Sequence, residues 1–379
     1  MRVASSWEEA GLAQRILGKA GIRLVWFDSI GAKSSCIVVE RSGLKVVVDP
    51  GAAAMQPSYP LPEYEKARLR REALRRIEDE ARKASIIIVT HYHYDHHARP
   101  WDKDIRDPKK MWLEGKTLVL KNPNMYINES QWERARLFLS SLLSMIGDSI
   151  ENHLVEPQET VFEDPVEKLV EAHSRDYGDY TDRRKQLLEK GKQWFSKLAS
   201  KFWSSKPWIE EMVLGDGTRI LWGDGRSIDA GPIRIRVLEP HFHGIEYDRT
   251  GWVTPLVIEC GGRKIVYTSD LMGPVIEDYA EAIARMKPDI VILDGPPTYL
   301  FPYMLNKVNL RRAVENAITI VKSKPKLIVY DHHLLREKRW RQRVAEALEE
   351  AGREGVLMLT AAECMGEKPL IDRVSEKSI

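Results

Sequence analysis

The segment of this chain best suited to chemistry is the run His91-Tyr-His-Tyr-Asp-His-His97, which directly follows a short apolar stretch. His91 and His93 are two residues apart, so an extended backbone directs both side chains to one side. The chain then turns, and Asp95 and His96 can address a second position close by. Imidazole and carboxylate are ligands of Zn²⁺, and Mn²⁺ and Fe²⁺ use the same set. The spacing therefore predicts a site for two neighbouring metal ions.

Two further histidine clusters lie later in the chain, and each comes just after a strand-like run. The first holds His241 and His243, and the second holds His332 and His333. A lone histidine is usually a core or surface residue, but eight of the ten histidines fall in these clusters and in the run at 91–97. The pattern therefore indicates metal binding rather than isolated structural histidines.

The hydrophobic pattern predicts strands first, and then strands alternating with helices. Predicted strands cover residues 22–28, 36–40, 45–49, 86–90, 116–120, 233–238, 253–259, 264–268, 289–294 and 326–330. Predicted helices cover residues 63–83, 130–145 with Ser130 as N-cap, 275–286, 309–322 and 337–351. Gly261-Gly262 predicts a hairpin turn. This order predicts an α/β fold in which helices cover sheets.

Residues 163–205 have a different character, because they combine dense charge with apolar residues at helical spacing. We expect residues 1–379 to form a single domain, with 163–205 as an inserted helical segment that breaks at residues 177–180. Two roles remain open for the segment: packing onto the core, or forming a lid or dimer surface near the metals. Aromatic side chains suit either role. Those considered are four in the segment and one just after it: Trp194, Phe195, Phe202, Trp203 and Trp208.

Composition excludes several classes of protein. Of 379 residues, 43% are hydrophobic and 30% are charged, which excludes wholesale disorder, collagen and coiled-coil rods. Apolar runs are too short to cross a membrane, and acids near the N-terminus argue against a secretory signal, so we expect a cytoplasmic protein without a membrane partner. A net charge of +2 neither favours nor excludes a polyanion. Asn and Gln total only 14, which favours a thermophilic source.

The residues Thr90-His-Tyr-His-Tyr-Asp-His96 match the HxHxDH signature of the metallo-β-lactamase fold superfamily of metal-dependent hydrolases, which this sequence resembles. Other segments match the superfamily's motifs in the same order. They are Asp49 after Val-Val-Val, His241-Phe-His243-Gly, Tyr267-Thr-Ser-Asp270 and Tyr330-Asp-His332-His333. The resemblance covers about residues 22–335 apart from the insertion. It is nearest to uncharacterised prokaryotic members, of archaeal type.

The resemblance implies a four-layer αββα sandwich of two mixed β-sheets, with the metals at one edge. It implies His91, His93 and His243 as ligands of one metal, and Asp95, His96 and His332 as ligands of the other. Asp270 would lie between the two metals, and Asp49 would orient the histidine loop. The alternates are His241 for His243 and His333 for His332. Asp28 and Asp294 also end apolar strands, which predicts loop or cap roles, although Asp294 could line the pocket.

The implied activity is metal-dependent hydrolysis, with two divalent ions, Zn²⁺ or alternatively Mn²⁺ or Fe²⁺. A hydroxide held between them would attack an ester-type bond in a small-molecule or phosphodiester substrate, with Asp95 orienting it and taking its proton. The alternatives are a nuclease or phosphodiesterase acting on RNA or DNA, and a non-catalytic metal-binding protein. The basic stretch at 66–76 could contact phosphates, but interspersed glutamates favour a solvated helix instead. The sequence sets neither the substrate nor the oligomeric state.

Overall fold

The computed structural model describes residues 2–376, and two seven-stranded mixed sheets form its centre. The strands are β1 (Ile22–Phe27), β2 (Ser35–Arg41), β3 (Leu44–Val48), β4 (Ile86–Val89), β5 (Thr117–Leu120), β6 (Leu154–Val155), β7 (Trp208–Ile209), β8 (Met212–Val213), β9 (Arg219–Trp222), β10 (Ser227–Ala230), β11 (Ile233–Val237), β12 (His241–Phe242), β13 (Trp252–Val253), β14 (Leu256–Cys260), β15 (Arg263–Tyr267), β16 (Ile290–Asp294), β17 (Leu327–Asp331) and β18 (Leu357–Leu359).

Helices and short 3₁₀ turns connect these strands. The α-helices are α1 (Arg2–Lys19), α2 (Glu63–Ala81), α3 (Pro108–Trp112), α4 (Glu129–Ser144), α5 (Val170–Ser174), α6 (Thr181–Leu198), α7 (Glu277–Arg285), α8 (Lys307–Lys322), α9 (Trp340–Arg343), α10 (Ala345–Glu354), α11 (Ala361–Cys364) and α12 (Leu370–Glu376).

The two sheets follow the same plan. The first has the order β1-β2-β3-β4-β5-β9-β8, and the second has the order β10-β11-β14-β15-β16-β17-β18. In each sheet the leading strands pair antiparallel, and four consecutive strands then run parallel: β3-β4-β5-β9 in the first and β15-β16-β17-β18 in the second. Parallel strands are buried on both faces, which is why they appear in the sequence as continuous apolar runs.

Alternation along the strands divides the core into an inner and an outer part. Val46 and Val48 of β3 belong to an apolar cluster shared with the second sheet, for example with Ile290 and Ile292 of β16. Val47 and Val291 point the other way, into a cluster that also contains apolar faces of α2, α4, α7, α8 and α10. The layers are therefore helix, sheet, sheet, helix, and the predicted αββα sandwich is confirmed.

The strands that matter for the site end at one edge of the sandwich, which we call the carboxyl edge. β1, β3 and β4 of the first sheet run in the same direction, and so do β15, β16 and β17 of the second. Every predicted site residue after these strands therefore lies at the carboxyl edge, although more than 170 residues separate β4 from β15 along the chain.

Local predictions were confirmed in part. β14 and β15 pair antiparallel around Gly261 and Gly262, and both glycines have positive φ, as a tight hairpin requires. The N-cap of α4 is Asn128, not Ser130, because the Asn128 side chain accepts a hydrogen bond from the Gln131 N–H. The single helix expected over 337–351 is also wrong: α9 and α10 are separated at Val344, which has a non-helical φ of −119°.

The segment 163–205 contains α5, α6 and a turn of π-helix, with the 3₁₀ turn at Gly178–Tyr180 between the two helices. Its aromatic side chains face the core. Trp203 is buried and its indole N–H donates to the Ile127 carbonyl oxygen, while Trp194 stacks on Trp252 with ring centroids 5.4 Å apart. The aromatic residues therefore anchor this segment. Over residues 2–376, none of the helices has both the length and the apolar composition needed to span a bilayer.

A buried ionic network ties this segment to the rest of the fold. Arg312 of α8 lies 2.8 Å from Glu246 and 2.7 Å from Glu277, and Arg184 of α6 lies 2.7 Å from Glu246. Glu246 belongs to residues 244–251, which follow His243 and which we call the His243 loop. Burial opposes ionisation of Glu246, but Arg312 and Arg184 outweigh it and lower its pKa to about 2. One carboxylate thus joins α6, α8 and the His243 loop.

Replacing Glu246 with Gln should reduce the free energy of unfolding by about 3–5 kcal/mol at pH 7, because two buried guanidinium groups lose an ionised partner. The pKa of Glu246 is lowered in the folded state, so its contribution is present above its unfolded pKa of about 4.3 and disappears as the pH falls toward 2. Urea unfolding followed by tryptophan fluorescence measures both effects. Glu133→Gln, at an exposed position of α4, is the control; equal losses in the two variants would contradict this assignment.

Candidate metal centre

Seven side chains converge at the carboxyl edge, and all seven are those predicted as ligands. They form two groups whose potential ligand atoms lie within 4.8 Å of one another, and a third such group joins Asp270 and His332 to His333. The first group contains His91, His93, His243 and Asp270, and the second contains Asp95, His96 and His332. The structure thus joins residues from the ends of β4, β15 and β17 and from the segment after β12.

Asp270 lies between the two groups. Its Oδ2 atom is 3.4 Å from His91 Nε2 and 3.2 Å from His243 Nε2. Its Oδ1 atom is 3.0 Å from His96 Nε2 and 3.3 Å from His332 Nε2. Each carboxylate oxygen therefore faces one of the two histidine groups, which is the arrangement of a carboxylate shared by two cations.

The atoms at the centre of this cluster lack hydrogen bonds. Among the described residues, both oxygens of Asp270 and both ring nitrogens of His243 are buried without a hydrogen-bond partner. Buried polar atoms are rarely left in this state, because each costs about 1–3 kcal/mol. Imidazole nitrogens and carboxylate oxygens converging in this way fit divalent ions, which would supply the missing interactions.

His96 is held in place by Asp49, which is fully buried. Asp49 Oδ2 accepts hydrogen bonds from His96 Nδ1 at 2.8 Å, from the Thr90 hydroxyl at 2.7 Å and from the Tyr267 hydroxyl at 2.7 Å. Its Oδ1 accepts from the Thr90 N–H at 2.8 Å. Bonding at Nδ1 leaves His96 Nε2 free to face Asp270, which is how a carboxylate orients a metal-binding histidine.

Asp28 orients His332 as Asp49 orients His96, by accepting a hydrogen bond from its Nδ1 atom. The interpretation of Asp28 as a loop or cap residue was therefore wrong. Its Oδ1 atom accepts from His332 Nδ1 at 2.8 Å, and its Oδ2 atom accepts from Arg336 Nε at 2.5 Å. The sequence signal was present, because Asp28 ends a strand as Asp49 does. Its partner, however, is 304 residues away along the chain, and no local pattern indicates it.

The structure separates the two histidines of the third motif. β12 ends at Phe242, so His241 and His243 do not share one face of a strand. His243 faces Asp270, whereas the His241 ring packs 4.2 Å from the Tyr279 ring and its Nδ1 bonds to the Glu239 carbonyl oxygen. Gly244, at a φ of +105°, permits the turn that follows. This backbone conformation accounts for glycine at this position.

His333 and Asp294 form a pair beside the cluster. His333 Nδ1 lies 2.9 Å from Asp294 Oδ1, and His333 Nε2 lies 4.0 Å from Asp270 Oδ2. Asp294 also accepts from the Met272 N–H at 2.8 Å, which fixes the segment after Asp270. His333 is therefore hydrogen-bonded next to the site, and Asp294 supports it rather than serving only as a cap.

The backbone of the site is tightly constrained. A Cβ atom on Gly51 would lie 2.3 Å from the His97 nitrogen, so the loop after β3 can lie against the histidine run only with glycine there. Asp49, Ser269 and His332 adopt positive φ values of 50°, 50° and 61°. Such conformations cost a non-glycine residue on the order of 1–3 kcal/mol and cluster at functional sites.

Electrostatics distinguish the histidines. Burial, with help from His96, lowers the pKa of His91 to about 4. Burial also opposes protonation of His96, but the Asp270 and Asp49 carboxylates outweigh it and raise that pKa to about 10. Burial and the charge of Asp270 raise the pKa of Asp294 to about 7. His91 is therefore neutral at pH 7, as a metal ligand must be.

Only one side of the cluster reaches solvent. His91, His96, His243, Asp270 and His332 are buried, whereas His93 and Asp95 are partly exposed. Burial raises the pKa of Asp95, but His96, Arg336 and His332 outweigh it and hold this pKa well below its ordinary value. The cluster is therefore accessible from solvent on the side of His93 and an ionised Asp95.

The family model that describes the metallo-β-lactamase superfamily matches residues 31–98, which include Asp49 and the histidine run. Over these residues the chain is similar to the metallo-β-lactamase superfamily. The remaining superfamily motifs lie outside the matched residues, and the fold brings them to the same edge of the sandwich.

Curated relatives span nearly the whole chain. A UPF0282 protein of Korarchaeum cryptofilum is 29% identical over 345 residues, which cover 90% of this chain and 88% of the relative. A UPF0282 protein of Methanocaldococcus jannaschii is 27% identical over 360 residues, which cover 93% and 94%. Among solved structures, the metallo-β-lactamase fold protein YhfI of Bacillus subtilis is 13% identical and covers 82% of this chain and 84% of its own, with a TM-score of 0.37. At that TM-score the likeness adds no argument of its own.

Two matched variants distinguish the histidines of the third motif. His243→Ala should lose bound Zn²⁺ from the first group, because His243 faces Asp270, whereas His241→Ala should retain it. Elemental analysis of dialysed protein gives the metal content of each. Equal metal loss in both variants, or loss in His241→Ala alone, would reverse the assignment.

Asp49→Asn should weaken Zn²⁺ binding by about 10–100-fold, because an amide has one acceptor oxygen instead of two and cannot accept from all four donors that hold Asp49 and His96 together. Competition with a chromophoric chelator measures the affinity. Asp179→Asn, at an exposed position in the 3₁₀ turn before α6, is the matched control. If Asp49→Asn keeps the wild-type affinity, Asp49 does not position a metal ligand.

Proposed function

We propose that this protein is a dinuclear metal-dependent hydrolase that cleaves an ester-type bond. The observation that carries the proposal is Asp270, whose two oxygens each face a separate histidine group and have no hydrogen-bond donor of their own among the described residues. That arrangement suits two divalent ions held side by side. Zn²⁺ fits the set of imidazole and carboxylate ligands best, and Mn²⁺ or Fe²⁺ can use the same set.

The ligands divide between two positions. His91, His93 and His243 would hold one ion, Asp95, His96 and His332 would hold the other, and Asp270 would contact both. When bound, the ions would lower the pKa of a coordinated water to about 7 and so supply a nucleophile at neutral pH.

The protein's own groups orient the reactants and move the proton. Asp95 lies at the partly exposed side of the cluster and is ionised, so it can orient the attacking water and accept its proton. Asp49 and Asp28 keep the Nε2 atoms of His96 and His332 directed toward Asp270. The sequence shows no Walker A loop.

The basic side chains of α2 do not support a nucleic-acid substrate. Five of its six basic side chains are already bonded to acids: Lys66 to Glu63, Arg68 to Glu65 and Glu72, Arg70 and Arg71 to Asp104, and Arg76 to Glu72. Cations paired in this way offer little charge to a phosphate backbone. We therefore favour a small-molecule substrate over RNA or DNA.

His93→Ala should abolish hydrolysis of bis(p-nitrophenyl) phosphate and p-nitrophenyl acetate by Zn²⁺- or Mn²⁺-loaded protein, because one metal loses a ligand. The yellow product is followed by absorbance, and metal content is measured on the same sample. His153→Ala is the matched control, because His153 bonds to Asp148 outside the cluster.

Turnover that persists in His93→Ala, or that survives removal of the metals by a chelator, would rule out this mechanism. Full metal loading with no turnover of any ester would instead favour a non-catalytic metal-binding protein.

A further inference from the structure

Arg336 lies next to the metal centre and takes no part in holding the metals. It belongs to the 3₁₀ turn His332–Arg336 and is almost completely buried. Its Nη2 atom is 3.4 Å from Asp95 Oδ2, and its Nη1 atom is 3.4 Å from the Tyr299 hydroxyl. Arg336 therefore borders the partly exposed side of the cluster, where the substrate must enter.

The hydrogen bonds of Arg336 are uneven. Its Nε atom is 2.5 Å from Asp28 and is well satisfied. The two terminal nitrogens make only long contacts, at 3.4 Å to Tyr299 and Asp95 and at 3.5 Å to His332 Nε2, beyond the usual N–H···O range of 2.7–3.2 Å. Asp28 thus fixes the guanidinium through its inner nitrogen and leaves the outer N–H groups available to an acceptor.

Lys33 supplies a second cation, which is close enough for its charge to interact with those of Arg336, Asp95 and Asp28. It precedes Ser34, whose N–H donates to Asp28 Oδ1 and whose carbonyl oxygen lies 3.2 Å from His332 Nδ1. Burial and the charge of Arg336 lower the pKa of the half-buried Lys33 ammonium. Within residues 2–376, no carboxylate lies at ion-pair distance from this ammonium.

A surface cleft of about 300 Å³ leads to Arg336. Tyr299 and the side chains of Glu337, Lys338 and Arg339 line it with Arg336. The only acid among these, Glu337, already contacts Arg343 at 3.2 Å. The approach to Arg336 therefore carries an excess of positive charge, which attracts anions.

We infer that Arg336, Lys33 and Tyr299 form a subsite for a phosphoryl group, so that the substrate is a small phosphorylated molecule. The subsite offers the outer N–H groups of a guanidinium, an ammonium and a hydroxyl. These suit the several terminal oxygens of a phosphoryl group better than the two of a carboxylate. The assignment of a phosphorylated substrate rests on the proposed function. Binding of an anion at the subsite does not depend on turnover.

Titration of metal-loaded protein with inorganic phosphate, by isothermal calorimetry, tests the subsite directly. Lys33→Met should weaken phosphate binding at least tenfold with unchanged metal content, because it removes the unpaired cation and keeps the length of the side chain. Lys83→Met is the matched control, since Lys83 is exposed near the start of β4, at the opposite end of that strand from the histidines.

Arg336→Lys provides a second variant that keeps the charge but removes the planar fork. It should also weaken phosphate binding at least tenfold, and its melting temperature shows whether it has folded. Acetate, titrated in parallel, should bind at least tenfold more weakly than phosphate to the wild-type protein.

Three results would overturn the subsite: no phosphate binding to the wild-type protein, phosphate affinity unchanged in both variants, or acetate binding as tightly as phosphate. A failure of the proposed hydrolase is distinguishable from these results. In that case phosphate binding would still depend on Lys33, while the His93-dependent turnover would be absent.

Discussion

The buried carboxylate of Asp49 joins the two sheets at the edge where the site is built. It accepts hydrogen bonds from Thr90 and His96 of the first sheet's loop and from Tyr267 of the second sheet. A carboxylate fully removed from water is costly unless every lone pair is satisfied, and here four donors satisfy it. The same bonds that make its burial tolerable fix the direction of His96, so stability and site geometry depend on one interaction. The Asp28–His332 pair repeats this arrangement at the end of β1.

The backbone around the site is constrained because the loops that carry its side chains lie against one another. Gly51 lets the loop after β3 touch the backbone of the histidine run, and Asp49, Ser269 and His332 accept left-handed conformations. Strain of this kind persists only where surrounding contacts over-determine the conformation. The parallel strands beneath supply those contacts, because their apolar side chains are buried on both faces. The stability of the packed sheets therefore offsets the unfavourable free energy of a rigid cluster whose central atoms lack hydrogen-bond partners.

The helical segment 163–205 affects the site indirectly, through the His243 loop. A Cβ atom on Gly191 of α6 would lie 2.3 Å from the Tyr247 ring, and Arg184 bonds to Glu246 in the same loop. Tyr247 in turn bonds to Asp164. These contacts hold the residues after His243 from outside, while its imidazole faces Asp270 from inside. Packing of this segment onto the core is therefore also a restraint on one of the candidate ligands.

Much of this molecule was predictable from sequence, because the signals involved are local. Buried parallel strands produce apolar runs, and the ligand types of the run at 91–97 lie within seven residues. No local sequence signal distinguishes His243 from His241, because the distinction depends on β12 ending at Phe242. The roles of Asp28, Lys33 and Arg336 had no sequence signal that identified a partner. They arise because β1 and β17, which belong to different sheets, end at the same edge, and only the packing of the two sheets brings those ends together.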